Sequence, residues 1–374
     1  MSFEQGTLTF RMMAMPRPFG MDAVSAFAKD AAGSLDAADE TPRRGWVTGR
    51  HLLDTAINEG SAFFGGRFRL QLREIVRKVP TALLKAQCKL EEIAVCAANE
   101  RTFLKASERA EIRQEVLERL LPKMPPSIKA YPFVYEPGAH HLYLGATAET
   151  AFDVFNGALS STLGFGGYVA DAAWHANDLA RISESDFAAE NFAPEERRAA
   201  AGDEEEAQAH FGREFLTWLW SEAESRDGEV DAGEAGKIGV LVEGPLAFER
   251  AGNGAHSVLL SRGAPEVSAE AKTCLAAGKL LKSARLTFSA DRDTAWRFQF
   301  DADGFVVRAM QMPKGEMRLD AASRFLDRMT LLDRWRDILL ALFGRFLALR
   351  KDPARWRKTA EKMRGWVASM PERA

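Results

Sequence analysis

The chain has 374 residues, 46% hydrophobic and 28% charged, with a net charge of −3. The hydrophobic share is ordinary for a folded protein and ample for sizeable cores, and the length suits two or three domains. The slightly acidic balance excludes a uniformly basic nucleic-acid binder, so any such face has to be a local patch. The three cysteines, Cys88, Cys96 and Cys274, form no CxxC pair. Cys88 and Cys96 lie eight apart within one expected helix, about 12 Å along its axis, which is too far for a disulfide. Reduced thiols in a cytoplasmic protein are the expectation. No apolar run near the start has signal-peptide length, and the run from Ile338 to Leu349 is broken by Arg345 and too short to span a bilayer, so no membrane association is expected.

In chain order, Leu8 to Met15 reads as a strand ended by Pro16 and Pro18, and Met21 to Ala32 as a short helix. Gly45-Trp46-Val47 punctuates a loop. From Ala62 to Ile75 the segment FFGGRFRLQLREI alternates around a glycine pair, Gly65-Gly66, read as a bulge. Phe68, Leu70 and Leu72 then face inward, with Arg67, Arg69, Gln71 and Arg73 opposite. Pro80 opens a helix with an apolar stripe of Leu83, Leu84, Leu90 and Ile93. Ser107 is the expected N-cap of the next helix, whose buried face is Ile112, Val116, Leu117 and Leu120, and Pro122 and Pro125-Pro126 stop it. Tyr131 to Tyr135 and His141 to Leu144 form a hairpin, and Thr147 to Leu163 a helix capped by Thr147.

Ser183 to Glu206 is rich in Ala and Glu and reads as a solvated connection. The aromatic run from Phe211 to Trp220 restarts packed structure. Ile238 to Glu243 and Ser257 to Ser261 are expected as paired strands, and Val267 to Ala277 as a helix. Lys279 to Ser289, Ala295 to Asp301 and Phe305 to Met312 are further strands, the last two joined at Asp303-Gly304. Helix then runs from Leu319 to about Leu349, followed after Pro353 by a short basic helix. The pattern is α+β, with mixed antiparallel sheets and helices. The expected regions are 1–165, an Ala/Glu-rich connection over 166–235, and 236–374.

Catalytic signatures are missing. Gly164 to Gly167 lacks the lysine of a phosphate-binding loop, no HExxH or Cys/His spacing suits zinc, and no GxSxG elbow is present. No cofactor is expected. Asp291/Asp293 and Asp301/Asp303 are the carboxylates a metal-dependent nuclease could use, although each pair stands where strands meet turns and aspartates bond their own backbone. The basic residues are more informative. Arg67, Arg69, Arg73, Arg77, Lys78, Lys85 and Lys89 occur over a span whose one acid before Lys89 is Glu74. Arginines on one strand face can neutralise several phosphates without reading sequence; they can equally be a solvated face shielding an edge strand. A second cluster, Arg350 to Arg364, carries Trp356 and suits either phosphate contact or docking on a partner.

Several motifs, taken in order, resemble the RdgC family of recombination-associated proteins. They are Gly45-Trp46-Val47, Lys78-Val79-Pro80, Leu104-Lys105, Glu108-Arg109, Glu115-Val116 and Leu120-Leu121-Pro122-Lys123. The series continues through Pro132 to Gly164, AAGKLLKSARLTF around Gly278-Lys279, and DADGFVVRAM. It leaves out the Ala/Glu-rich block and the basic C-terminal extension. The resemblance implies an elongated subunit forming a ring-like homodimer around double-stranded DNA, without sequence readout, nucleoid-associated and opposing RecA. By matching position it implies phosphate contacts from Arg73, Arg77, Lys78, Lys105, Arg109, Arg113, Lys123 and Lys279, beside Arg67 and Arg69 of the basic strand. One departure stands out: Lys123-Met124-Pro125-Pro126-Ser127-Ile128 has proline where the family carries an aromatic residue at its ring contact. The expectation is thus a non-enzymatic DNA binder. The alternatives are an exonuclease using Asp291, Asp293, Asp301 or Asp303, and a mobile-element interaction factor working through the basic C-terminal helix.

Overall fold

A computed structural model describes residues 3–193, 209–250, 257–262, 264, 267–314 and 320–369. Residues 194–206 of the Ala/Glu-rich block and Leu319 lie outside the described residues. The fold is α+β, as the periodicities indicate, and comprises two units that interleave along the chain. The first holds residues Met1–Pro18, Val134–Phe152 and Gly167–Ala374; the second holds Phe19–Phe133 and Asp153–Gly166. The three consecutive regions expected from composition therefore give way to a division in which the first strand belongs with the C-terminal half. That strand pairs with a partner some 300 residues away, Leu8 facing Met310, which no local composition signal can report.

In the first unit the strands are β1 (Leu8–Ala14), β6 (His141–Leu144), β9 (Lys237–Glu249), β10 (Val258–Leu260), β11 (Leu280–Ser289), β12 (Ala295–Asp301) and β13 (Val306–Gln311). They run antiparallel in the order β10-β9-β11-β12-β13-β1-β6. β12 buries Trp296, Phe298 and Phe300 on one face while Arg297 points outward, the period-two pattern of a sheet covered on one side.

The covering layer in this unit is helical. Helix α7 (Phe211–Glu224) is buried nearly all round, which marks it as a core helix. It enters closely because Gly212 has no side chain: a Cβ there would stand 2.0 Å from the Ala302 carbonyl oxygen. Buried polar side chains along it find partners, as burial favours. Thr217 donates to the Arg213 carbonyl (2.8 Å) and accepts from the Leu281 amide (3.0 Å). Glu214 meets Arg350 at 2.8 Å.

Helix α9 (Ala321–Lys351) is capped by Asp320, whose carboxylate accepts from the Ala322 and Ser323 amides. It buries Phe325, Met329, Leu332, Trp335, Leu339, Leu342, Phe343 and Phe346 at helical spacing. α10 (Pro353–Ala368) starts on Asp352 with proline at its first position. Helices α6 (Ala172–Ala180) and α8 (Ala269–Ala276) complete the layer. No helix among the described residues is long and apolar enough to cross a membrane.

The second unit is built on β4 (Arg67–Val76), which pairs with β2 (Arg43–Thr48) and β3 (Phe63–Phe64) and lies beside the leading residues of β5 (Ser127–Glu136). Its aromatic core gathers Phe27, Trp46, Phe68, Phe133 and Phe155; Phe27 and Trp46 lie 5.0 Å apart edge to face. Trp46 donates to Thr162 of α5 (Glu149–Leu163) at 2.8 Å, and Thr162 donates to Asp30, beyond α1 (Val24–Lys29), at 2.6 Å. A second, smaller core lies between α3 (Thr81–Ala98) and α4 (Ala106–Leu120), formed by Leu84, Leu104, Ile112, Val116 and Leu117.

Four local expectations need correction. Gly45-Trp46-Val47 is strand, because Trp46 is a core residue and bare Gly45 lets the Ala32 backbone lie against it, 2.4 Å from where a Cβ would be. Gly65-Gly66 is the two-residue turn of the β3–β4 hairpin, with φ of +56° and +83°, the left-handed values such turns require. Lys105, not Ser107, is the N-cap of α4, and the Glu108 carboxylate accepts from its amide at 2.7 Å. Along α3 only Leu84 is buried; Leu83, Leu90 and Ile93 are exposed, since α4 covers the opposite face of the helix.

Candidate nucleic-acid interface

The strand expected to present arginines is covered on both faces. Arg69 is 8% and Arg73 3% exposed. Residues following β2 and the turn at Gly33 close over this side, so Gln71 donates to the Thr48 and Gly49 carbonyls (3.2 Å each). Arg73 donates to the Leu52 carbonyl at 3.0 Å and to the Gly33 carbonyl. The Arg69 guanidinium lies over the Phe64 ring at 5.6 Å. Arg77, half-buried, donates to the Pro122 carbonyl at 2.7 Å and so ties the end of β4 to the end of α4. Arg67 is half-buried. Arg73 and Arg77 thus act on their own chain's backbone, a role that strand periodicity alone cannot distinguish from a solvated face.

The helical pair is different. Lys105, Arg109 and Arg113 recur every fourth residue at the start and along α4, and residues so spaced share one helix face. All three are exposed, and none forms an ion pair among the described residues. Glu111, Glu115 and Glu118 fall on another face of α4, so helix geometry separates the two signs of charge. Lys78, just before α3, and Lys123, just after α4, are also exposed and without ion pairs. By contrast Arg101 and Arg119 are occupied, by Glu108 (2.9 Å) and Glu91 (2.7 Å). The structure therefore brings Lys105, Arg109 and Arg113 together in the second unit, whereas Lys279 stands half-buried in the first unit, at the turn into β11.

Sequence reading missed Arg43 and Arg44 on β2. Arg43 pairs with Asp39 at 2.7 Å, and Arg44 with Glu74 at 2.7 Å. Their signal was an RR pair ahead of Gly45, passed over because the segment read as a loop.

The alternative carboxylates are dispersed in role. Asp303 is clasped by Arg213 through Nε (2.8 and 3.1 Å) and Nη2 (2.7 Å), and Asp301 faces Arg308 at 3.7 Å. Asp291 accepts from the Asp293 and Thr294 amides (3.1 and 2.8 Å), the turn role expected from its position. Among the described residues no group of three His, Cys, Asp or Glu side chains is disposed to hold a metal ion.

The basic C-terminal helix spends its tryptophan inside its own unit. Trp356 is 5% exposed, packs on Phe346 and Phe192, and donates to Glu190 at 2.8 Å. Of the histidines, His175 is fully buried against His141 and Phe305; burial drives its pKa down to about 3, with the His141 charge adding to the shift.

Set against known proteins, the chain matches no protein-family model and no curated relative.

Proposed function

We propose that the protein binds duplex DNA without reading its sequence, as a homodimer acting in recombination and opposing RecA-type strand exchange. The observation that carries the reading is the Lys105–Arg109–Arg113 stripe: three cations on one exposed helix face with no ion-pair partner among the described residues. Unpaired cations at ~6 Å steps along a helix suit phosphate contacts, which position a protein on DNA and carry no base information. Lys78 and Lys123 extend the set. The ordered resemblance to RdgC proteins supplies the recombination context and the dimer. The buried Arg69 and Arg73 of β4, and the occupied Arg77 just after it, take no part in this reading.

The experiment is fluorescence-anisotropy titration of two unrelated duplexes at low and moderate salt, with light scattering on the free and DNA-bound protein. Equal affinity for both sequences, falling steeply with salt, is expected. Absence of binding at low salt rejects the reading.

A further inference from the structure

Several buried guanidinium groups of this protein are paired with carboxylates, whereas Arg73, like Arg11, has no ion pair among the described residues. Arg213 has Asp303 and Glu249, Arg336 has Asp333, Asp337 and Glu136, and Arg350 has Glu214. Each of these three guanidinium groups is neutralised, as the cost of burying charge favours. Arg73 is at least as deeply buried, 3% exposed, yet meets only the carbonyls of Leu52 and Gly33. Among the described residues its Nε has no hydrogen-bond partner and no carboxylate is paired with it.

Arg73 also lines a cavity of about 400 Å³ together with Gly33, Ser34, Arg43, Arg44 and Ile75. That volume falls in the range of small-ligand sites. The floor depends on Gly45, whose missing side chain leaves room for Ala32. Arg43 and Arg44 are each about half exposed, Arg43 tied to the partly exposed Asp39 and Arg44 to the buried Glu74. Among the described residues no carboxylate lines the cavity itself. Three guanidinium groups and a hydroxyl thus border one concave space, and the innermost of the three is uncompensated.

We infer that this cavity is a binding site for a phosphate monoester, held by Arg73 at its base and by Arg44 and Arg43 at its rim. A phosphate group carries close to two negative charges at neutral pH and three strong acceptor oxygens, which suits several converging guanidinium donors. It supplies the counter-charge that Arg73 lacks. Ser34, whose hydroxyl leans toward Asp36 at 3.3 Å in the structure, stands at the same wall. The site is separate from the α4 stripe and does not rest on duplex binding. The phosphate can belong to a free mononucleotide or to the phosphorylated end of a strand.

The test uses the full chain and calorimetric titration at constant ionic strength with AMP, adenosine, succinate, and a short oligonucleotide bearing either a 5′-phosphate or a 5′-hydroxyl. Saturable binding of AMP without binding of adenosine or succinate is expected. AMP alone binding identifies a free nucleotide; added preference for the 5′-phosphorylated strand identifies a DNA end. Arg44→Gln should weaken AMP by about tenfold, the loss of one charge-assisted contact. Because removing buried Arg73 can unfold the unit, Ala37→Phe, which fills the mouth from an exposed lining position, gives the independent readout. It should abolish AMP binding and leave duplex affinity unchanged. Absence of saturable AMP binding, equal binding of succinate, or binding that survives both substitutions overturns the inference.

Discussion

Arg350 donates to Glu214 at 2.8 Å while its guanidinium is held between the rings of Phe187 and Trp356, each 5.0 Å from it. Glu214 is wholly buried, so this pair fixes the last turn of α9 on the central helix α7 at a point where neither charge meets water. Breaking such a pair strands the remaining charge, costing ~3–5 kcal/mol. Arg350→Met should therefore lower the midpoint of chemical unfolding sharply. Adding Glu214→Gln should restore much of the loss, because the double variant leaves no uncompensated carboxylate. A cycle in which the two losses simply add would show that the pair is not coupled.

Stability should also respond to acid through His175. Its folded pKa is about 3 against an ordinary 6.5. Between those values the unfolded chain takes up a proton that the folded chain refuses. Stability therefore falls as pH drops below about 6.5, by up to ~1.4 kcal/mol per unit. Denaturant titrations from pH 7 to pH 4 check this, and His175→Phe should flatten the acid-side slope.

Glu184 works in the opposite sense within an overlapping range. Its carboxyl, which accepts from the Phe211 amide at 2.7 Å, is raised by burial to about 7 from an ordinary 4.5. The folded state keeps a proton the unfolded state loses, so its contribution is present below about 4.5 and is lost as pH rises through 7. Glu184→Gln preserves an acceptor for Phe211 and removes the titration. Its stability relative to the parent should rise between pH 5 and pH 8; an unchanged difference across that range would contradict the assignment.

Position along α3 sorts two leucines that look alike in sequence. Leu84 is buried against Ile112, Val116 and Leu117, and Leu84→Ala should cost ~2–3 kcal/mol. Leu90 is 66% exposed, and Leu90→Ala should fall within ~0.5 kcal/mol of the parent. Guanidinium unfolding of the two variants separates them, and equal losses would mean that Leu90 is covered in solution.

The legible parts of this fold are those with local cues. β11, β12 and β13 follow from alternation and the Asp303-Gly304 turn, and α9 follows from its aromatic stripe. The chain's amphipathic signals also named the buried face of α4. What stayed hidden was set by distant segments. β2 is a strand because Trp46 fills a core shared with Phe133 and Phe155. Arg69 and Arg73 alternate with apolar residues as a solvated face would, but loops from elsewhere cover them. Leu83, Leu90 and Ile93 have the spacing of a buried stripe and remain exposed because α4 lies on the other side. For the site, the four-residue spacing of Lys105, Arg109 and Arg113 was readable in advance; that their partners are missing while those of Arg101 and Arg119 are present was not.

The central claim is that the α4 stripe contacts phosphates. The most direct test replaces Lys105, Arg109 and Arg113 together by glutamine and measures duplex affinity across a salt series. Each lost phosphate contact removes about 0.9 from the slope of log affinity against log salt, so three should reduce it by about 2.7, with weaker binding at every salt concentration. The fold should be unchanged, since all three side chains are exposed. A triple variant that binds duplex with the parent's affinity and the parent's salt slope would contradict the account.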